Sequence, residues 1–387
     1  MTVQQNVDRI RTTHVGSLPR PVPVLDMMKA RALGQPIDAA AFDREVARGC
    51  RDIVKTQVEN GIDIVSDGEV SKPGFFSYVS ERLEGFEPRP DLKVSWWPKE
   101  TAQFPEYYER YFREAMMGGM VAKFVPLACV GPVSYKDTKA IDRDLANLKA
   151  AVASAGASTA FVPAIGTSGI IGRNEYYKTE EEYFHAIGRA MATEYKAIID
   201  AGFLLQVDDP FLPDIFIDDT LDEKAQRRRA QMYVESINEG IKGLPVERIR
   251  FHTCYSINEG PRVNEVQLGD FVEFVLKVNA SAYSFEAANP RHEHDYHTFE
   301  TVKLPDGKVI IPGMITHASN IVEHPELIAE RLMRFTNLCG RDNVLAGADC
   351  GFSSQATYHP EVDPRVLWTK FRALAEGARI ASTRLWR

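Results

Sequence analysis

Cysteine is scarce in this sequence, five residues among 387, and the number is odd. So sparse a set is no disulfide framework, and a chain of this length can bury a core without one. In a reducing compartment such thiols serve packing or metal ligation. Long apolar runs are also missing. No stretch of about 18 uncharged apolar residues occurs, which excludes a membrane-spanning helix. The N-terminal MTVQQNVDRIRTTH is polar and has no apolar signal core, so a cytoplasmic protein is expected. Basic residues are not in excess. Lys and Arg number 46 against 54 Asp and Glu, a formal charge of −8, which argues against nucleic acid or an anionic membrane as partner. There is no short-period repeat, no low-complexity tract and no glycine-rich phosphate turn. VGSLPRP stands where a doubly wound dinucleotide fold would place that turn.

What the chain does have is a strand–helix rhythm. Apolar, β-branched runs ending in small or acidic residues occur at 11–17, 63–69, 122–130, 160–166, 203–209, 250–256, 282–288, 309–315 and 343–350. Helical patterns separate most of them. Phe42, Val46, Cys50, Ile53, Val54 and Val58 form a stripe of helical period. Ile328, Leu332, Phe335 and Cys339 form another, with Pro325 suited to its first turn and Gly340 just past its end. Alternating strands and helices imply a mostly parallel sheet, and this many strands imply a single α/β domain over 1–387, a (β/α)8 barrel of the TIM type. Nine runs are one too many, so one lies outside the barrel; spacing alone leaves open which. Residues 87–120 break the rhythm. They are rich in Trp, Tyr and Phe with Pro and charges throughout, and form an insertion: either a lid over the barrel mouth or an excursion against its side or in a dimer contact.

In a parallel barrel the active site lies at the C-terminal ends of the strands. There the sequence delivers His14 and Ser17, then Asp67 and Glu69, Asp208 and Asp209, His252 and Cys254, Glu286, His317, and finally Asp349 and Cys350. Residues two apart on a strand point to the same side, so His252 and Cys254 can face one ion. With Cys350 and Glu286 from other strands they make a tetrahedral zinc set. The plain alternative is a buried cysteine acting as a small hydrophobe beside a satisfied histidine. Cys50, Cys129 and Cys339 fit that description, two on helix stripes and one inside a strand run.

A zinc carrying two thiolates is a poor source of hydroxide but a good holder of a substrate thiolate, since coordination deprotonates a thiol. Alkylation of a metal-bound substrate sulfur is therefore the expected reaction. Glu69 and Asp208, without counter-charges at the barrel mouth, suit an ammonium group; Ser17 and the backbone of VGS suit a carboxylate; His14 is counted with this substrate set. Together they describe a thiol amino acid, of which homocysteine is the simplest. For Asp208 and Asp209 the alternative is helix capping or pairing with a cation.

The chain resembles the cobalamin-independent methionine synthases, in their zinc-bearing C-terminal barrel and its short single-domain relatives. The motifs are TTHVGSLPRP (12–21), GIDIVSDGE (61–69), GPVS (131–134), LQVDDP (205–210), HTC (252–254), FEAANP (285–290), ITHASN (315–320) and ADCG (348–351), in family order along nearly the whole chain. The resemblance implies a methyltransferase making methionine from zinc-bound homocysteine. It implies His252, Cys254, Glu286 and Cys350 as ligands and Ser17, Glu69 and Asp208 as holders of the amino acid. It also implies His317 as the acid that protonates the methyl donor's leaving nitrogen, a role an imidazole suits because it titrates near working pH. The structural alternative for His317 is a hydrogen bond holding the ASN turn. The family's tryptophan shortly after GPV is missing; the text is GPVSYKDTKA, with Thr138 or a neighbour at that place. The donor is accordingly left as a folate or a protein-bound methylcorrinoid, with Tyr135, Trp96 or Trp97 as substitute aromatic faces. The alternative activity is thiol alkylation of the epoxyalkane:coenzyme M transferase type, whose acceptor carries a sulfonate and no ammonium.

Overall fold

In the computed structural model, which describes residues 3, 5–116, 119–122, 124–170, 172–255 and 260–387, seven strands form one sheet. They are, in spatial order, Ile64–Ser66, Thr159–Ile165, Leu204–Asp208, Ile249–His252, Ala282–Phe285, Val309–Ile315 and Gly347–Ala348. Every neighbouring pair is parallel. The two edges of this sheet meet on one short segment: Thr12 bridges Ala346 and Thr13 bridges Ile64, both in parallel. Backbone bonds from Thr13 N to Ala346 O (2.9 Å) and from Ile64 N to Thr12 O (3.1 Å) make the closure. The barrel thus has its eighth position, as the strand–helix rhythm predicts, though the first strand shrinks to two residues. Closure removes the edge strands that would otherwise expose unpaired backbone groups.

The run left over is 122–130. It lies in a separate three-stranded sheet, where Leu127–Tyr135 pairs antiparallel with Leu83–Pro88 and parallel with Gly172–Asn174. The insertion is therefore wider than 87–120. It runs from one strand of this small sheet to the next and carries the helices Pro98–Gln103 and Pro105–Tyr111 and the π-helical turn Phe112–Met116 between them. Its own core is aromatic, with Trp97, Tyr108 and Tyr111 buried together. Met117 and Gly118 of the insertion, Lys123, and Ser256 at the end of the sixth strand run lie outside the described residues. At the root of the insertion Arg82 is buried between Asp144 (2.7 Å) and Glu194 (2.9 Å), so one guanidinium pairs with carboxylates from both neighbouring helices, and Arg143 adds a second cation at Asp144 (3.1 Å). A buried charge without a partner is far costlier than a paired one, so this triad resists displacement of the insertion.

The helix stripes behave as their spacing predicts. The first lies on Ala39–Glu59, which buries Phe42, Val46, Cys50, Ile53 and Val54, with Asp38 capping its start through Ala41 N. The second is Pro325–Cys339, with Gly340 at φ 86° ending it. Two other helices, Glu180–Asp200 and Glu223–Gly240, touch backbone to backbone: a Cβ on Gly188 would lie 2.3 Å from Ser236 O. Inside the barrel Arg250 is fully buried, stacked on Phe161 at 4.1 Å and bonded to Thr13 Oγ1 (2.9 Å) and His14 O (2.8 Å). That guanidinium ties the short closing segment to the strand opposite. No described helix is long and apolar enough to cross a membrane.

Candidate functional site

His252 ends its strand, Cys254 follows two residues later, and Cys350 follows two residues after the strand Gly347–Ala348. The two sulfurs lie 3.3 Å apart. One ligand atom from each of the three residues falls within 4.8 Å of the others, and all three side chains are buried. His252 Nδ1 meets Ser284 Oγ at 3.2 Å, while its buried Nε2 has no hydrogen-bond partner among the described residues. Burial, with Arg250 and His317 nearby, lowers its pKa to about 3, so the imidazole is neutral and keeps a lone pair to give. A buried ring nitrogen without a partner needs an explanation. Beside two thiols, the one that fits is a thiophilic ion bound through nitrogen and sulfur; a tetrahedral zinc with bonds of about 2.0–2.3 Å would span these atoms.

Glu286, expected as the fourth ligand, is turned elsewhere. Its carboxylate accepts the Tyr255 N–H (2.8 Å) and the Asn289 side-chain amide (2.8 Å), and it groups with His317 and Asp349. Burial raises its pKa, which Arg291 opposes and Asp349 reinforces. Asp349 itself holds the loop after the strand Ala282–Phe285. Its two oxygens accept the N–H groups of Ala287 (2.8 Å), Ala288 (2.8 Å) and Asn289 (3.0 Å) and the Asn289 amide (3.0 Å). A Cβ on Gly313 would come within 1.9 Å of Asp349 Oδ1, so that close approach demands glycine.

The cysteines open onto a cavity at the barrel mouth. Ser17, Glu69, Asp208, His252, Cys254 and Cys350 all line it. So do Trp96 and Trp97 from the insertion, which therefore covers the barrel mouth. Thr138 does not line it; it precedes the helix Lys139–Ala155 and bonds Asp142 (2.7 Å). Tyr135 is likewise elsewhere, hydrogen-bonded to Glu194.

Glu69 corrects one expectation. It is not without a counter-charge: Lys72 Nζ lies 2.9 Å from its carboxylate, with both side chains 3% exposed. Lys72 also donates to Pro163 O (2.7 Å). Glu69 holds a left-handed backbone at φ 55°, steadied by Asp67, whose carboxylate accepts the Glu69 N–H at 3.0 Å. Such a conformation in a non-glycine residue costs on the order of 1–3 kcal/mol and is found where a site dictates it. Among the described residues no cation lies within ion-pair distance of Asp208. Its Oδ1 accepts the Gln206 amide at 2.7 Å, and burial together with Glu69 raises its pKa well above the ordinary carboxylate range. Asp209 points away, accepting the Phe211 N–H (3.1 Å) and the Ser168 hydroxyl. Ser17 lies beside the Cys350 loop, with Phe352 N donating to its carbonyl (3.0 Å) and Ser354 Oγ 3.4 Å from its hydroxyl.

Two histidines stand apart from the cavity. His14 packs against Phe161 and Phe371, its Nε2 bonded to Gln57 Oε1 (2.8 Å) and its Nδ1 accepting the Gly16 N–H (3.2 Å). His317 lines an adjoining crevice that shares Met120, Gly351, Ser354 and Gln355 with the cavity. The sequence reading missed Lys72, although its place three residues after Glu69 is the spacing of a local ion pair. It missed Phe75, Phe76 and Phe124 as cavity wall, because an aromatic residue in a loop carries no periodic signal.

The family described as "Cobalamin-independent synthase, Catalytic domain" matches residues 165–362. The methionine synthase of Saccharolobus solfataricus is 22% identical over 385 residues, covering 97% of this chain and 96% of the relative. That of Sulfolobus acidocaldarius is 22% identical over 347 residues, covering 88% and 85%. Among solved structures, the B12-independent methionine synthase of Shewanella sp. W3-18-1, determined in complex with selenomethionine, superimposes with a TM-score of 0.70 at 21% identity, covering 98% and 99%. The putative vitamin-B12-independent enzyme of Listeria monocytogenes gives 0.66 at 19%, covering 97% and 98%.

Proposed function

Because the chain belongs to the cobalamin-independent synthase catalytic-domain family, a family of methyltransferases, we propose that it methylates the sulfur of homocysteine, held on a zinc ion, to give methionine. The observation that carries this reading is the convergence of His252, Cys254 and Cys350 at the floor of the cavity. These three residues would hold the zinc, and Glu286 would complete the set by swinging from its bonds to Tyr255 and Asn289. When bound, a zinc with two thiolate ligands lowers the pKa of an incoming thiol, so that the nucleophilic form prevails near neutral pH.

The remaining work belongs to the chain's own side chains. Asp208, the cavity carboxylate without an ion-pair partner among the described residues, takes the ammonium of the amino acid; an ammonium at hydrogen-bond distance restores its ionised form. Glu69 supports it from the far side, held in place by Lys72. Ser17 donates to the carboxylate. His14 orients Gly16 beneath Ser17 through its bond to that backbone N–H. His317 stands ready to hand a proton to a leaving atom that needs one. The insertion excludes water from above with Trp96 and Trp97. A sulfonate-bearing acceptor finds no Lys or Arg among the described lining residues, which disfavours the coenzyme M type of reaction.

The test is a titration of zinc-loaded protein with homocysteine, watched at the zinc absorption edge and by methionine formation. Entry of one further sulfur ligand and appearance of methionine are expected. An unchanged metal environment would remove the reading.

A further inference from the structure

Much of the cavity lining is aromatic. Phe75, Phe76, Trp96, Trp97, Phe124 and Phe211 line it. Five of these rings form a continuous wall, with centroids 5.0 Å apart for Phe75–Phe76, 5.3 Å for Phe76–Phe124, 5.9 Å for Phe124–Trp96 and 6.3 Å for Trp96–Trp97. The charged groups on the same surface are all acidic: Glu69, Asp208 and Asp214. The described lining contains no Lys or Arg. Lys72 pairs with Glu69 without itself lining the cavity, and Arg262 covers Trp97 at 4.5 Å without lining it either. An anionic donor, such as one with a chain of glutamates, would meet carboxylates and no cation here. A cation would meet ring faces, with Asp214 on the same lining as the carboxylate that neither Lys72 nor the amino acid's ammonium takes up, an environment that attracts methylated onium groups.

Resting on the reading of the site as a thiol methyltransferase, we propose that its methyl donor is an onium compound, a methyl group on positively charged sulfur or nitrogen seated against the wall of Phe75, Phe76, Trp96 and Phe124. The transfer balances without a further reactant. The acceptor sulfur forms the new S–C bond, the bond between the methyl carbon and the onium atom breaks, and its electron pair stays on the departing atom. The products are the methylated thiol and a neutral thioether or tertiary amine, and the thiol's proton goes to solvent. The leaving atom needs no proton delivered to it, so with an onium donor the acid role given above to His317, which lines the adjoining crevice, falls away.

The experiment offers zinc-loaded full-length protein homocysteine with one of several donors carrying a trideuterated methyl group. These are trimethylsulfonium, dimethylsulfonioacetate and glycine betaine, against methyltetrahydrofolate with one or three glutamates and methylcobalamin. Mass spectrometry follows label in methionine. Label from a sulfonium or a quaternary ammonium donor, at least about tenfold faster than from the folates or the corrinoid, is expected, and the sulfonium and betaine arms tell the two onium types apart. Label only from methylfolate or methylcobalamin overturns the onium donor while leaving thiol methylation standing. No label from any donor, with homocysteine still adding a sulfur to the zinc, also overturns it; no added sulfur overturns the parent reading as well. A binding measurement needs no turnover. Tryptophan fluorescence should give choline about fivefold or more tighter binding than its neutral isostere 3,3-dimethylbutanol, and Trp96→Leu should shrink that ratio. Equal affinities in the wild-type chain would count against the proposal.

Discussion

The Lys72 ammonium rests 2.9 Å from the Glu69 carboxylate, both sealed from solvent and three residues apart in the chain. Glu69 is thus already neutralised, and in the proposed function the positive charge of the amino acid would fall to Asp208. Replacing Lys72 by Met leaves an unpaired buried carboxylate, at a cost of about 3 kcal/mol in urea unfolding. Adding Glu69→Gln should restore most of that loss. A Lys72→Met protein as stable as the parent would show that the pair does not hold the site.

Cys254 and Cys350 should each be indispensable to the metal. Cys254→Ala or Cys350→Ala is expected to lose zinc during purification, measured by elemental analysis against about one equivalent for the parent. Cys50→Ala, inside the stripe of Ala39–Glu59, should keep its full metal and lose only about 1 kcal/mol of stability. Full metal in either of the first two variants would dismantle the ligand set.

Asp349 accepts four N–H groups from the loop that follows Glu286. Asp349→Asn turns part of that acceptor into a donor facing donors. It should weaken zinc binding by roughly 10–100-fold, as supporting groups around metal ligands do, and lower stability by about 2 kcal/mol. Competition with a chelator reads the first effect and thermal unfolding the second. Gly313→Ala should mimic it by pushing on the same carboxylate from below.

His292 lies between Asp295 (3.0 Å) and Glu265 (2.9 Å) and stacks on Tyr255 at 3.7 Å. Burial alone would depress its pKa, but the two carboxylates prevail and raise it to about 9 from 6.5. The folded state therefore holds this proton more tightly than the unfolded chain. The resulting stability is fully present below about pH 6.5 and is lost as pH climbs through about 9. Unfolding of His292→Gln beside the parent should show a gap on the order of 1–2 kcal/mol at pH 6 that narrows by pH 9.5. A gap independent of pH would mean that the imidazole stays neutral there.

Much of this protein was visible before any fold was drawn, because some signals are local. The helical stripes on Ala39–Glu59 and Pro325–Cys339 follow from a period of 3.6 residues, and the shared side of His252 and Cys254 follows from a period of two. The strand-end motifs carried the family and most of the cavity: Ser17, Glu69, Asp208, His252, Cys254 and Cys350 all reach it. Other features had no local signature. That 122–130 leaves the barrel depends on its pairing with Leu83–Pro88, a register between distant segments. The counter-charge on Glu69 and the turning of Glu286 toward Asn289 depend on which side chains the folded loops bring within reach.

The amino-acid order by itself determined the alternation of strands and helices, the chemical identity of the groups proposed to hold a metal and the side of the chain on which His252 and Cys254 stand. Tertiary structure alone decided that Cys254 and Cys350, 96 positions apart, bring their sulfurs to 3.3 Å, and that aromatic rings of the insertion line the same cavity. The reason is range: side-chain periodicity is set by neighbours on the same element, whereas closure of the barrel through Thr12 and Thr13 is set by hydrogen bonds between segments that no short stretch of sequence contains.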